Sequence, residues 1–207
     1  AAGFFTTYTI TMHIAIVGNI GAGKTTLATK LSQHFKWELY LEAVENNPYL
    51  KDFYEDMERW AFHLQVFFLN SRFGQVQQIQ SKDGHVIQDR TIYEDAFIFA
   101  KNLHQSGLMS TRDYENYFAL FQSMISMVKA PDLMIYLKAD LPKLIGQIEK
   151  RNRDYESSIS INYLRNLNDH YNTWMGNYDL GKLVVIDVNN LDFVANPEDL
   201  GFIIEKI

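Results

Sequence analysis

The chain has 207 residues, 47% of them hydrophobic and 14% aromatic, which is enough for one sizeable core and short for two. It contains no cysteine, which excludes a disulfide framework and a thiolate metal site, and no stretch resembles a secretory signal or a membrane span, so a reducing, cytoplasmic setting without membrane association is expected. A formal net charge of −6 argues against binding a nucleic acid polymer, and basic residues that do cluster are expected to serve a small anion.

Residues 1–11 precede Met12, which resembles a natural start, and are read as an N-terminal extension or vector-derived sequence. His13 to Val17 is a short β-rich apolar run, followed by the glycine loop GNIGAGKTT and by Thr25 to Phe35 with helical spacing. Further apolar runs at Glu38–Leu41, His85–Gln88, Leu133–Leu137 and Leu183–Ile186 are separated by stretches long enough for helical crossovers. Strands alternating with helices predict an α/β fold, a parallel sheet of about five strands with helices on both faces and the ligand at the carboxyl ends of the strands.

The residues Gly18-x-x-x-x-Gly23-Lys24-Thr25 match the phosphate-binding pattern G-x-x-x-x-G-K-[ST] between a strand and a helix. Glycines let the backbone N–H groups of Gly18, Asn19, Gly21, Ala22 and Gly23 turn towards phosphate oxygens. Lys24 can reach the β- and γ-phosphates, Thr25 can ligate Mg²⁺, and Thr26 completes the loop. The loop binds a nucleoside triphosphate without naming the phosphate acceptor. Neither N-K-x-D nor D-x-x-G occurs, so a switch GTPase is not expected.

The second strand ends in Leu41-Glu42 and the third in Gln88-Asp89-Arg90, which brings two carboxylates and a guanidinium to the ligand edge. Transfer of a phosphoryl group to an alcohol needs a group to orient the hydroxyl and take its proton, a metal, and cations on the moving group. Glu42, then Thr25 with Asp89, then Lys24 with Arg90 can supply these. Tyr54, Gln65 and Arg72 fall within about 20° of one line on a continuous helix and share a stripe with Ala61 and Phe68. Such a polar triplet is either a surface seam or a pocket wall. The run Lys150-Arg151-Asn152-Arg153-Asp154-Tyr155-Glu156 is either a solvated helix end or a mobile flap that lays arginines on the transferring phosphate.

Taken jointly, these residues resemble the deoxynucleoside kinase family, and most of all its bacterial deoxyadenosine and deoxyguanosine kinases. The resemblance runs over nearly the whole chain from Met12, read as a single kinase domain over 12–207, and rests on GNIGAGKTT, on Glu42 to Leu50, on YEDMERWAFHLQ with Ser71-Arg72, on Asp89-Arg90-Thr91 followed by YEDAFIFAKNL, and on the R-x-R-x-x-E flap ending at Glu156. It implies a P-loop kinase fold with a flexible arginine-containing lid, ATP as donor with Mg²⁺, and Glu42 as the base near the 5′-hydroxyl, with Arg90 orienting the reacting groups. It further implies Asp89 on Mg²⁺, Tyr54 and Glu156 on the sugar 3′-hydroxyl, and Gln65, Arg72 and Asp95 on the base. Arg151 and Arg153 would close on the phosphates, Asp192 and Phe193 would lie near the donor's adenine, and the protein would be a homodimer.

Two positions depart from the family. Ala43 replaces the proline usual after the glutamate, which leaves Glu42 more dependent on packing, and Thr91 replaces a serine but keeps the hydroxyl. A nucleoside monophosphate kinase of the thymidylate type needs a cation near strand two, where this chain has Glu42 and Glu45. A nucleotide-binding module without turnover would not need the acid, metal and flap residues together. The expected reaction is therefore phosphorylation of a 2′-deoxynucleoside in nucleotide salvage. Asp95 can accept and Arg72 can donate, which suits the N6 amino group and N7 of adenine. Guanine's O6 would leave Asp95 facing an acceptor, at about 1–3 kcal/mol, whereas cytosine offers its own amino group and ring acceptor and the Gln65 amide can turn to serve either pattern. The bacterial resemblance tilts the choice to the purine, so deoxyadenosine is expected to be preferred, with deoxycytidine or deoxyguanosine secondary.

Overall fold

The computed structural model describes residues 11–44, 47–153, 156 and 159–207. Five strands form one parallel sheet: β1 (His13–Gly18), β2 (Glu38–Tyr40), β3 (Val86–Asp89), β4 (Leu133–Lys138) and β5 (Lys182–Asp187), in the order β2-β3-β1-β4-β5. The sequence-based strand bounds hold to within two residues, and Leu41, expected in β2, lies outside it and is exposed. Glu45 of the acidic pair, Asp154 and Tyr155 of the basic run, and residues 1–10 of the N-terminal stretch lie outside the described residues.

The helices are α1 (Lys24–Phe35), α2 (Leu50–Glu55), α3 (Met57–Gln80), α4 (Ile92–Glu94), α5 (Lys101–Gln105), α6 (Thr111–Ile125), α7 (Leu141–Arg151), α8 (Ile161–Gly176) and α9 (Pro197–Glu205), with a π-helical segment, Asp95–Ala100, joining α4 to α5. Strand periodicity sorts the central side chains between two layers. Ile14, Ile16, Ile135 and Leu137 pack with Leu27 and Leu31 of α1, Leu144 of α7 and Ile203 of α9. Val17, Met134 and Tyr136 face the other way, onto Leu64 of α3 and Leu167 and Tyr171 of α8. Both faces of β1 and β4 are covered, which is why those runs are apolar without alternation.

This order sets the site. The connection leaving β1 passes beyond β3 to β2, whereas the connection leaving β3 crosses to β4 on the far side of β1. The crevice between the carboxyl ends of β1 and β3 is a topological switch point, where an open parallel sheet receives its ligand. The chain breaks at Asp56 (φ −146°, ψ 83°), whose side chain accepts from the N–H of Arg59 and starts α3. Tyr54 therefore stands on α2 and does not share one helix with Gln65 and Arg72, a correction to the continuous stripe.

Candidate active site

A cavity of about 380 Å³ opens at the switch point. Lys24, Thr25, Glu42, Asp89 and Arg90 line it, together with Tyr54, Gln65 and Asp95 and with Arg151, Arg153 and Glu156. The sequence-predicted groups are thus brought together from seven separate stretches of chain, with Arg72 set behind the wall.

In the phosphate loop, Gly21 and Gly23 have φ of 85° and 92°, in the left-handed region. A Cβ at Gly21 would meet the Leu144 carbonyl at 2.7 Å, and one at Gly23 would meet the Phe193 ring at 2.9 Å, so only glycine permits this curl. Lys24 is buried and donates through Nζ to the Asn19 carbonyl at 3.0 Å. Burial, with Arg90 nearby, lowers its pKa to about 8 against the pull of neighbouring carboxylates. The Asn19 side chain is used structurally, donating to the Leu164 carbonyl (3.0 Å) and to Asn168 (2.6 Å) and accepting from the Ile20 N–H. Phe193 is a core residue against Gly23, and Asp192 accepts from the N–H groups of Val194 and Ala195.

Thr25 donates to Asp89 Oδ2 at 2.5 Å, while Oδ1 of the same carboxylate is buried without a hydrogen-bond partner among the described residues. One hydroxyl beside one spare carboxylate oxygen fits Mg²⁺, which takes most of its ligands from phosphate and water. No cluster of three or more His, Cys, Asp or Glu occurs among the described residues.

Glu42 lies in the loop after β2, between two guanidinium groups: Arg90 Nε is 2.8 Å and Arg72 Nη2 3.1 Å from its Oε1. Burial alone would raise its pKa, but Arg90, Arg72 and Lys24 outweigh that and hold it at about 2. The two arginines thus hold the Glu42 side chain directly, next to Ala43. Arg90 itself has φ 73°, an uncommon conformation for a non-glycine residue. Its N–H donates to the Ile16 carbonyl and its guanidinium lies 4.5 Å over the Phe99 ring.

Arg72 donates through Nε to Asp95 (3.2 Å) and through Nη1 to the Asp89 carbonyl (3.2 Å), tying α3, β3 and the π segment together. Burial pushes the Asp95 carboxyl up to about 6, and Arg72 only partly offsets it. A π segment is often found at functional sites, and here Asp95 and Phe99, four residues apart on it, both line the cavity. Gln65 is buried with its Oε1 unpartnered. Across the cavity Arg151 donates through Nε (3.0 Å) and Nη2 (2.5 Å) to the buried Glu156 carboxylate, and Arg153 Nη1 lies 3.4 Å from it.

Two residues escaped the sequence reading. Glu94 has no solvent exposure and accepts from the N–H groups of Thr91 (2.7 Å) and Gly18 (3.3 Å). Tyr171 bonds Gly18, Glu94 and Arg90. Thr91-x-x-Glu94 is visible as a capping box, which the structure contains; Tyr171 belongs to no motif in the sequence.

A glycine loop after the first strand, an acid-arginine step after the third and arginines facing both define a P-loop phosphotransferase. The deoxynucleoside kinase family model matches residues 14–207, and the chain belongs to that family. It is similar to a deoxyadenosine kinase of Dictyostelium discoideum, 45% identical over 196 residues that cover 93% of this chain and 78% of that protein. It is also similar to a deoxyadenosine/deoxycytidine kinase of Bacillus subtilis, 36% identical over 196 residues that cover 94% of this chain and 90% of that one. Among solved structures, deoxyadenosine kinase from M. mycoides with the products dCMP and a flexible dCDP bound aligns with a TM-score of 0.84 at 31% identity, covering 94% of this chain and 98% of that one.

Proposed function

We propose that this kinase transfers the γ-phosphoryl group of ATP to the 5′-hydroxyl of a 2′-deoxynucleoside, with deoxyadenosine the best acceptor. The observation that carries the reading is Glu42, a carboxylate pinned by Arg72 and Arg90 in the cavity that also holds Lys24 and Thr25. A charged carboxylate there repels an acceptor phosphate and suits an alcohol. In the reaction the O5′–Pγ bond forms, the bond from Pγ to the β–γ bridging oxygen breaks, ADP leaves, and the hydroxyl proton passes to Glu42.

With a pKa of about 2, Glu42 is always ionised at neutral pH but is a weak base. In a loose transition state the proton moves late, so its main work is to orient the hydroxyl and accept the proton as the new bond completes. Lys24, Arg90, Arg151 and Arg153 are assigned to charge on the moving phosphoryl group. Thr25 and Asp89 would hold Mg²⁺, which neutralises phosphate charge when bound. Tyr54 and Glu156 are assigned to the 3′-hydroxyl, and the unpartnered Gln65 Oε1 with Asp95 to the base edge. The Asp95 carboxylate, an acceptor when ionised, favours a base that offers an amino group, the Gln65 amide can turn to serve either pattern, and the similarity to deoxyadenosine kinases supports adenine. The family resemblance also supports a homodimer, which sedimentation would test. No described helix is long and apolar enough to cross a membrane.

The test is incubation with ATP and Mg²⁺ against separate panels of nucleosides and monophosphates. Deoxyadenosine should give the highest kcat/KM and monophosphates no product. Phosphorylation of monophosphates alone would overturn the reading, and thymidine as the best acceptor would remove Asp95 from the base.

A further inference from the structure

We propose that Glu94 and Tyr171 form a buried positioning pair that holds the catalytic Arg90 in register with the start of the phosphate loop. Tyr171, on α8, lies with its hydroxyl 2.8 Å from the Gly18 carbonyl, 2.6 Å from Glu94 Oε1 and 3.1 Å from Arg90 Nη1, which donates to it. The same Glu94 oxygen is 3.3 Å from the Gly18 N–H and 3.4 Å from Arg90 Nη1. Both backbone polar groups of Gly18 are thus held by the two side chains that also hold Arg90. The hydroxyl has one proton facing two acceptors. The shorter, charged contact to Glu94 takes the larger share, and the proton stays in place because burial and Glu94 raise the Tyr171 pKa well above its usual value.

Stability alone does not account for this arrangement. A buried ionised side chain tied to an arginine is seldom better for folding than apolar residues of the same volume. Here the buried charge stands where β1 hands over to the phosphate loop and where Arg90 adopts its left-handed backbone. Glu94 is fixed from behind by the Thr91 N–H, so the pair has a rigid base. Arg90 is consequently anchored on two sides, by Glu42 facing the acceptor end and by Glu94 with Tyr171 facing the donor loop. Such bracing sets the distance between the hydroxyl-orienting group and the phosphate cradle, and an error of about 1 Å in that distance can cost a hundredfold in rate. Neither side chain lines the cavity, so both act through Arg90 and Gly18 and not on substrate.

This inference rests on the kinase reading, and wild-type turnover of deoxyadenosine, measured first, separates failure of the one from failure of the other. The tests are Tyr171→Phe, which keeps the ring and removes the hydroxyl, and Glu94→Gln, which keeps the shape and removes the charge. Each is expected to lower single-turnover rate about tenfold or more per folded molecule, with KM for nucleoside and for ATP within about twofold. In an Arg90→Lys background the Tyr171→Phe change is expected to lose the part of its effect that runs through Arg90, because that contact is already gone while those to Gly18 and Glu94 remain. An unchanged rate in either folded variant, equal losses in both Arg90 backgrounds, or failure of both variants to fold would each overturn the proposal and leave the pair a structural one.

Discussion

Arg72 and Arg90 pair with Glu42 and Asp95 at 2% and 5% side-chain exposure, whereas Arg151 and Arg153 pair with Glu156 at 34% and 39%. The chemistry of the contacts is the same and their consequences differ. Removing one partner from a buried pair leaves an uncompensated charge and costs about 3–5 kcal/mol. A pair exposed on both sides contributes about 0–1 kcal/mol, and the Glu156 pairs, exposed on the arginine side alone, lie between these limits. The interior set is therefore a fixed frame, in place before any substrate arrives, while Arg151 and Arg153 are wetted on their own side and can exchange the buried Glu156 for a phosphate provided that a substrate hydroxyl takes their place on the carboxylate. Exchange would also release Glu156, the residue assigned to the sugar 3′-hydroxyl.

The comparison breaks first at Glu42. Glu42→Gln keeps the shape and removes the proton acceptor, and kcat is expected to fall about a hundredfold, near the lower end of general-base effects because the carboxylate is so weakly basic. Nucleoside KM should change little. A near-normal rate with chemistry limiting would show that the fixed frame does not serve the hydroxyl.

Arg151→Ala and Arg153→Ala probe the exchangeable side. Each should lower kcat about tenfold, with a smaller change in KM for ATP, because the developing charge on the phosphoryl group is what a partly exposed guanidinium meets in the transition state. A raised KM with unchanged kcat would make these ground-state contacts. Hydrogen exchange across 151–159 should slow on adding ATP, and strong protection in the free enzyme would contradict an exchangeable pairing.

Lys24 gives the alkaline limb. With its pKa lowered to about 8, the free enzyme loses this cation as pH rises through 8, so kcat/KM for ATP should fall about tenfold per pH unit above that point. A profile flat to pH 10 would show that Lys24 keeps its charge.

The smallest effect concerns Asp95, faced by Arg72, Arg90, Glu42 and the Tyr117 hydroxyl. Above its pKa of about 6 it can only accept, and below it can donate to the O6 of guanine. The ratio of kcat/KM for deoxyadenosine over deoxyguanosine should fall a few-fold as pH drops from about 7.5 to 5.5, and Asp95→Asn should flatten that slope. The linkage to stability has opposite signs in the two carboxyls. The Asp95 contribution is present below 3.8 and lost as pH rises through about 6. The Glu42 contribution is present above 4.5 and lost as pH falls through about 2. Thermal melts of the Asp95→Asn enzyme across that range would separate them.

The contiguous features are legible in the sequence: the strand, glycine loop and helix from His13 to Phe35, the parallel alternation, the acid just after β2 and the acid that ends β3. Each is written in neighbouring residues, because backbone conformation follows from local sterics and side-chain period. It took the packed molecule to separate Tyr54 and Gln65 onto different helices, to set Arg72 against two carboxylates from behind the cavity, and to bury Glu94 against Gly18 and Tyr171. Glu42 is 30 residues from Arg72, and Glu94 is 77 from Tyr171. Charge pairing, burial and the pKa shifts they produce depend on which distant elements pack together and exclude water, and no local pattern carries that information.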